Sequence, residues 1–278
     1  GYGAMVSFGH AAFFGLGGYA AGIAAHHAMN YEPVLSWPFV IEASDQMPTI
    51  WLAGMVMAGI TGLAFGALSL RTSGVYFIMI TMAFAQMMYY AIVSIEEYGG
   101  DDGLVIDTRS ELGLLNLDNP LQLFGLAYVS LLVAMLLVRM IVNSRFGMVV
   151  QGAKNNPERM ATMGFNTYAF RLVAYVISGA MAGYAGALLG NFTTFISPEM
   201  MDWSRSGELM FMVILGGVGT LLGPLFGAAA LVILETVLTS WTEHWQLVLG
   251  PILLLVVLFT QGGLNGLFNR LGIGRSVR

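Results

Sequence analysis

Apolar residues fall in blocks too long for the alternation of a strand or the single stripe of a soluble helix. A hydrocarbon core of about 30 Å is crossed by roughly 20 helical residues at about 1.5 Å each. On that measure the chain predicts eight spans, at 4–28, 48–69, 72–94, 121–142, 168–192, 207–222, 225–240 and 246–263. The sixth and seventh are short and meet at the glycine-rich run from Gly216 to Pro224. Such a pair reads either as a full hairpin or as a re-entrant pair, and periodicity does not separate the two.

Charge placement chooses between them. If residue 1 faces the cytoplasm and all eight segments cross, the inner side holds Arg71, Arg139, Arg145, Lys154, Arg159, Arg171, Arg270, Arg275 and Arg278, nine of the eleven basic residues, and only Arg109 and Arg205 fall outside. Positive charge concentrates on the cytoplasmic side of membrane proteins, and an odd number of crossings after the 143–171 segment would destroy the pattern. The full hairpin is therefore expected. Acids populate the other side: Glu32, Glu42, Asp45, Glu96, Glu97, Asp101, Asp102, Asp107, Glu111, Asp118, Glu199, Asp202 and Glu243. Trp37, Trp51, Trp203, Trp241 and Trp245 lie near that boundary, as interfacial anchors do.

Composition agrees. Of 278 residues, 57% are hydrophobic and 10% charged, with a mean hydropathy of +0.75, far from the balance of a soluble domain. The absence of Cys excludes disulfides, thiolate metal sites and cysteine nucleophiles. The chain opens on Gly1-Tyr2-Gly3 and runs straight into an apolar segment, so one or more spans are expected to precede it in a longer protein. The expected organisation is an all-α integral membrane protein: a transmembrane domain over 1–268, a polar loop at 143–167 and a cytoplasmic tail at 269–278.

Glycines recur at i, i+3, i+7 in four segments: Gly15, Gly18, Gly22; Gly59, Gly62, Gly66; Gly183, Gly186, Gly190; and Gly216, Gly219, Gly223. That spacing places small residues on one helix face and lets backbones approach where lipid supplies no hydrophobic drive. Gly18-Tyr19-Ala20 and Gly183-Tyr184-Ala185 repeat in the first and fifth spans, a trace consistent with internal duplication.

Candidate chemistry is sparse. A phosphate-binding loop needs a Lys after its glycines, and the single Lys154 follows Ala153, so ATP hydrolysis is not expected in this chain. His10, His26, His27 and His244 lack the i, i+4 spacing of metal ligands, and no metal is expected. Polar groups inside the spans are few: Ser7, His10, Gln86, Asn191, Thr193, Thr194, Glu208 and Glu235. They are candidates for a translocation path, with hydrogen bonding between helices as the plain alternative. An ion-coupled carrier calls for more membrane carboxylates, so energy is expected from outside the chain.

The loop from Asn143 to Thr167 contains Asn155-Asn156-Pro157-Glu158-Arg159-Met160-Ala161-Thr162-Met163-Gly164. Asn156 as cap, Pro157 and Glu158 in the first turn and Gly164 at the end predict a short surface helix, either a docking knob or a connector.

Six segments resemble, in order and at suitable spacing to about residue 268, the LivM-type permeases of branched-chain amino-acid ABC importers. They are Ser7-Phe8-Gly9-His10-Ala11-Ala12-Phe13-Phe14-Gly15, Gly74-Val75-Tyr76-Phe77, Gly99-Gly100-Asp101-Asp102-Gly103-Leu104, Ser144-Arg145-Phe146-Gly147, Ile196-Ser197-Pro198-Glu199, and Leu215 to Pro224. The resemblance implies a bacterial inner-membrane importer with a related LivH-type permease, two ATP-binding cassette subunits that use ATP and Mg, and a periplasmic binding protein. It further implies that Asn155, Pro157, Glu158, Arg159, Ala161 and Gly164 seat on an ATPase subunit. Asp101, Asp102, Glu199, Asp202 and Arg205 are the expected contacts of the binding protein. Many members carry an acid where this chain has Gln86, which leaves the solute open. The alternative reading is a stand-alone secondary transporter or channel for a small polar solute such as urea or an amide.

Overall fold

The computed structural model describes residues 1–30, 46–106, 109, 113, 117, 119–241 and 247–251. The acids Glu32, Glu42, Asp45, Asp107, Glu111, Asp118 and Glu243, together with Trp37, Trp245, His244, Arg270, Arg275, Arg278 and the 269–278 tail, lie outside the described residues. Nine helices are described: α1 His10–Asn30, α2 Met47–Ser69, α3 Val75–Val93, α4 Pro120–Asn143, α5 Arg145–Asn155, α6 Pro157–Thr162, α7 Thr167–Thr193, α8 Trp203–Gly216 and α9 Gly223–Trp241. Contacts divide the chain into two compact units, one of Val6–Ser206 and one of Gly1–Met5 with Gly207–Arg278.

Five described helices, α2, α3, α4, α7 and α9, are long and apolar enough to cross a membrane. The eight-span expectation is corrected at three places. The first predicted span, 4–28, is helical only from His10, and residues before it are irregular. The sixth, 207–222, is a 14-residue helix that ends at Gly216, about 21 Å at the usual rise, followed by a turn with Gly217 and Gly219 at φ 116° and 85°. Of the eighth, 246–263, residues 247–251 are helical and the rest lies outside the described residues.

The larger unit is built on α1, α2 and α7, which pack through glycine. A Cβ on Gly17 would strike the Gly183 carbonyl, one on Gly186 the Phe14 carbonyl, and one on Gly183 would lie 2.6 Å from both Ala58 Cβ and the Gly54 carbonyl oxygen. Most glycines of the expected stripes, among them Gly15, Gly22, Gly66, Gly183 and Gly186, stand where a Cβ would meet a neighbour under 3.0 Å, whereas Gly59 and Gly62 meet neighbours only at 3.7–4.0 Å and Gly17 adds a close approach outside the stripes. Phe13, Tyr175 and Ala58 fill the buried centre. α1 is among the most enclosed elements although its Ala, Gly and His content makes it less apolar than the spans around it. Of the five long apolar helices, α4 is the most hydropathic and also the least buried.

At one end of this unit a short antiparallel ribbon pairs β1 Leu104–Val105 with β2 Phe195–Ile196, in register Leu104↔Ile196 and Val105↔Phe195. Ile106 N donates to the Thr194 carbonyl at 2.9 Å and lengthens it. The ribbon roofs α1: Leu16, Tyr19, Ala25, Ile92, Ile106, Ile196, Met200 and Met201 form one buried cluster. Gly99, Gly100 and Gly103 have φ of 87°, 50° and 85°, so the Gly-Gly-Asp-Asp-Gly motif is the tight turn that delivers β1. Ser197 caps a 3-10 turn over Pro198–Met201 by accepting from Glu199 N at 3.2 Å.

In the other unit α8 and α9 close against each other. A Cβ on Gly216 would strike the Gly223 carbonyl and one on Gly227 the Met212 carbonyl, and Leu215 packs with Leu231 beyond them.

Candidate functional site

α1 begins inside the bundle rather than at its rim. His10 Nε2 lies 2.9 Å from Ser178 Oγ, and Ser178 stands eleven residues after Thr167 in the 27-residue α7. At 1.5 Å per residue that is about 16 Å along a helix of about 40 Å. Irregular backbone at such depth survives only where its polar groups are satisfied by protein or line a wet cavity. Here hydroxyls do the work. Phe8 N donates to Thr81 Oγ1 at 3.2 Å, Gly9 N to Ser7 Oγ at 3.1 Å and Ala11 N to Ser206 Oγ at 2.9 Å. Ser206 Oγ donates in turn to the Phe8 carbonyl at 2.6 Å, and Ser7 Oγ lies 3.3 Å from Tyr175 Oη. Aromatic edges close the sides: His10 and Phe13 both meet the Tyr175 ring edge-on, with centroids 5.5 and 5.6 Å apart.

Two of the expected path residues, Ser7 and His10, are thereby brought together with Thr81, Tyr175, Ser178 and Ser206, which sequence reasoning missed. Tyr175 and Ser178 are three apart and share a helix face, a signal present in the sequence but common to many apolar helices. The cluster offers neutral donors and acceptors for a polar solute.

Gln86 stands further along α3, and its amide donates to Asp202 Oδ1. Asp202 also accepts from the Ser204 hydroxyl and, at 3.3 Å, from Ser204 N. Partial burial pushes the Asp202 carboxyl up, but hydrogen bonds from the Ser204 hydroxyl, the Gln86 amide and the Ser204 and Trp203 backbone outweigh it and hold it below its ordinary value of 3.8. Asp202, expected as a docking contact, is thus turned inward to α3. An acid at position 86 would face this carboxylate, so a neutral amide is the residue type that fits.

Asn191 is fully buried, its Nδ2 donating to the Ala187 carbonyl at 3.2 Å, and Thr194 ends α7 in the left-handed region at φ 54°. Asn191 is enclosed in the packing of α7, and Thr194 is half-buried at its C-terminal cap. Glu208 and Glu235 belong to the other unit, half-buried on α8 and α9. Asp101, Asp102, Glu199 and Arg205 are exposed. Among the described residues no three His, Asp or Glu side chains converge as a metal site requires.

The 143–167 segment holds two helices where one was expected. Ser144 caps α5, accepting from Gly147 N at 3.3 Å, and Val149, Val150 and Ala153 are buried beneath it. Arg171 Nη2 donates to the Ala153 carbonyl at 2.7 Å, placing a cation at the negative end of α5 and fastening it to α7. α6 follows the sequence expectation closely: Asn156 Oδ1 accepts from Arg159 N at 2.9 Å and Pro157 opens the first turn. At its end Gly164 N donates to the Ala161 carbonyl and Phe165 N to the Met160 carbonyl, the paired closure that needs the left-handed Gly164 at φ 88°. Met160 turns inward, packing against Gly152. Asn155, Pro157, Glu158, Arg159, Ala161 and Gly164 are all exposed.

The chain is 25% identical over 237 residues to the high-affinity branched-chain amino acid transport system permease protein LivM of Escherichia coli, covering 77% of this chain and 56% of that protein. It is 29% identical over 206 residues to the probable branched-chain amino acid transport permease protein LivH of Methanocaldococcus jannaschii, covering 70% and 62%. A shorter match, 29% over 104 residues, covers 32% of this chain and 33% of the nucleoside ABC transporter permease protein NupC of Lactococcus lactis. The chain thus spans less than two thirds of the length of these relatives. No solved structure matches it. The family model described as branched-chain amino acid transport system / permease component matches residues 1–258, and the chain belongs to that family.

Proposed function

We propose that the chain is a transmembrane permease subunit of a binding-protein-dependent ABC importer, translocating branched-chain amino acids or a similar small polar solute by ATP-driven alternating access. The observation that carries this reading is α6: a capped helix standing on α5 with all but Met160 exposed, and Arg171 ties α5 to α7. It is the form of a part that receives force from another protein and passes it to the bundle. The relatives named as LivM and LivH support the solute class.

In this reading Glu158, Ala161 and Gly164, flanked by Asn155, Pro157 and Arg159, seat on an ATP-binding cassette subunit, where ATP and Mg are used. The α5–α6 end faces the cytoplasm of a bacterial inner membrane, consistent with Arg145, Lys154, Arg159 and Arg171 lying there. A related LivH-type permease pairs with this chain. Asp101, Asp102, Glu199 and Arg205 meet the periplasmic binding protein, while Asp202 positions their loop through Gln86. Ser7, His10 and Gln86 line the path with Thr81, Tyr175 and Ser178, and Glu208 and Glu235 are the polar candidates of the second unit taken by itself.

The test is to reconstitute the assembled importer with Glu158→Arg or Gly164→Trp. Uptake is expected to fail while the ATPase subunits still hydrolyse ATP. Unchanged uptake by both variants would remove α6 as the coupling element.

A further inference from the structure

Within the Val6–Ser206 unit one hydroxyl of the polar cluster faces outward with capacity unspent. Thr81 Oγ1 accepts from Phe8 N at 3.2 Å and donates to the Ile78 carbonyl at 2.9 Å, so it is used up by the chain itself. Ser7 Oγ accepts from Gly9 N at 3.1 Å and shares a second bond, of 3.3 Å, with the buried Tyr175 Oη. Ser178 differs. It is exposed on α7, and among the described residues its one hydrogen-bond partner is His10 Nε2 at 2.9 Å. Other helical hydroxyls of this chain turn back on their own helix, as Thr61 does on the Met57 carbonyl and Ser69 on that of Phe65.

The rest of the ring decides which way the His10–Ser178 bond runs. His10 also bonds to the backbone of Ser7, and the bond is of the kind that favours a proton on the ring, so the ring donates and the Ser7 carbonyl accepts. With Nε2 committed to Ser178, the donor is Nδ1. The ring has no carboxylate partner among the described residues and stands edge-on to Phe13 and Tyr175, with centroids 5.7 and 5.5 Å away. A charge there would lack a counter-ion, so the imidazole is neutral and carries its single proton on Nδ1. Nε2 can then only accept, and the Ser178 hydroxyl donates to it. The outward side of Ser178 Oγ is left with lone pairs alone, made more electron-rich by the bond it gives. At its depth along α7 lipid offers such an oxygen no donor. We infer that Ser178 is an acceptor subsite in the path, taking an N–H group of the solute, an ammonium or a primary amide, and turning away a carboxylate.

The inference rests on the path reading above, and two measurements test it. With nitrogen-labelled histidine in the permease of the assembled importer, the His10 resonances, assigned by their loss in His10→Gln, are expected to place the proton on Nδ1. A proton on Nε2 would turn the Ser178 hydroxyl outward as a donor and overturn the inference. Uptake of leucine, which brings an ammonium, and of urea, which brings amides, is then measured separately in the same complex, and the solute that is carried identifies the source of the N–H group. For that solute Ser178→Ala is expected to lower uptake below saturation about tenfold, as loss of a hydrogen bond to a charged or strongly polar group does, and Ser178→Thr, which keeps the oxygen, to recover most of it. Unchanged uptake by Ser178→Ala would overturn the subsite. The reading beneath it fails separately: uptake that needs no ATP removes the importer while the Ser178→Ala ratio still decides the subsite, and uptake of neither solute removes the solute class.

Discussion

At the scale of single residues the bundle is held by contacts that leave no room for a methyl group. Gly17→Ala and Gly186→Ala would each drive a Cβ into a facing carbonyl, and overpacking of this kind costs about 1–3 kcal/mol. Gly59→Ala meets only Ala180 and Val176 at 4.0 Å and is expected to be neutral or mildly stabilising. Thermal unfolding in detergent should lower the midpoint for the first two and spare the third. Spacing named most of the close-packed glycines, Gly183 and Gly186 among them, but overcalled Gly59 and passed over Gly17, because helix rotation is set by partners that a stripe does not name. The Asp202 pairing was equally hidden, since 116 residues separate it from Gln86. Its carboxyl is held below 3.8, so the ionised, hydrogen-bonded form stabilises the fold fully above the ordinary carboxylate range. That contribution is lost as pH falls through the depressed value. Hydrogen exchange across 198–206 should rise on acidification, and Asp202→Asn should abolish that pH dependence; an unchanged profile in the variant would contradict the assignment.

Among the elements, α6 was the most legible because local chemistry dictates it. Cap, proline and terminal glycine all lie within nine residues of one another. Asn156→Ala removes a cap worth about 1 kcal/mol, and Gly164→Ala places a side chain at φ 88°, at a similar cost of about 1 kcal/mol. Both should loosen α6 without unfolding the bundle, so proteolysis within 156–166 should quicken while the global midpoint holds. α5 went unread because its buried face of Gly147, Val149, Val150 and Ala153 is short and mixed with charge. α1 and α8 were overextended for the opposite reason. An unbroken apolar run does not reveal that backbone before His10 is fastened by hydroxyls from Thr81 and Ser206, nor that Gly217 and Gly219 turn the chain.

At the scale of the whole molecule, five helices among the described residues are long and apolar enough to cross a membrane, α1 is enclosed and α8 is short, while most of the eighth predicted span lies outside the described residues. Hydropathy picked out the exposed helices such as α4 and missed the enclosed α1, where small residues replace apolar ones. The charge pattern of the sequence gives a topology that can be tested. Cysteines placed at Lys154 and at Asp101 should react with an impermeant thiol reagent from opposite sides of oriented vesicles, with Lys154 reached only from the cytoplasmic side; labelling of both from one side would refute the topology. The decisive measurement is solute accumulation in sealed proteoliposomes. The account predicts uphill uptake only when the ATPase subunits, the binding protein and ATP are present together with the permease pair. Uphill uptake by the purified chain under an ion gradient, with no nucleotide-hydrolysing partner, would contradict it.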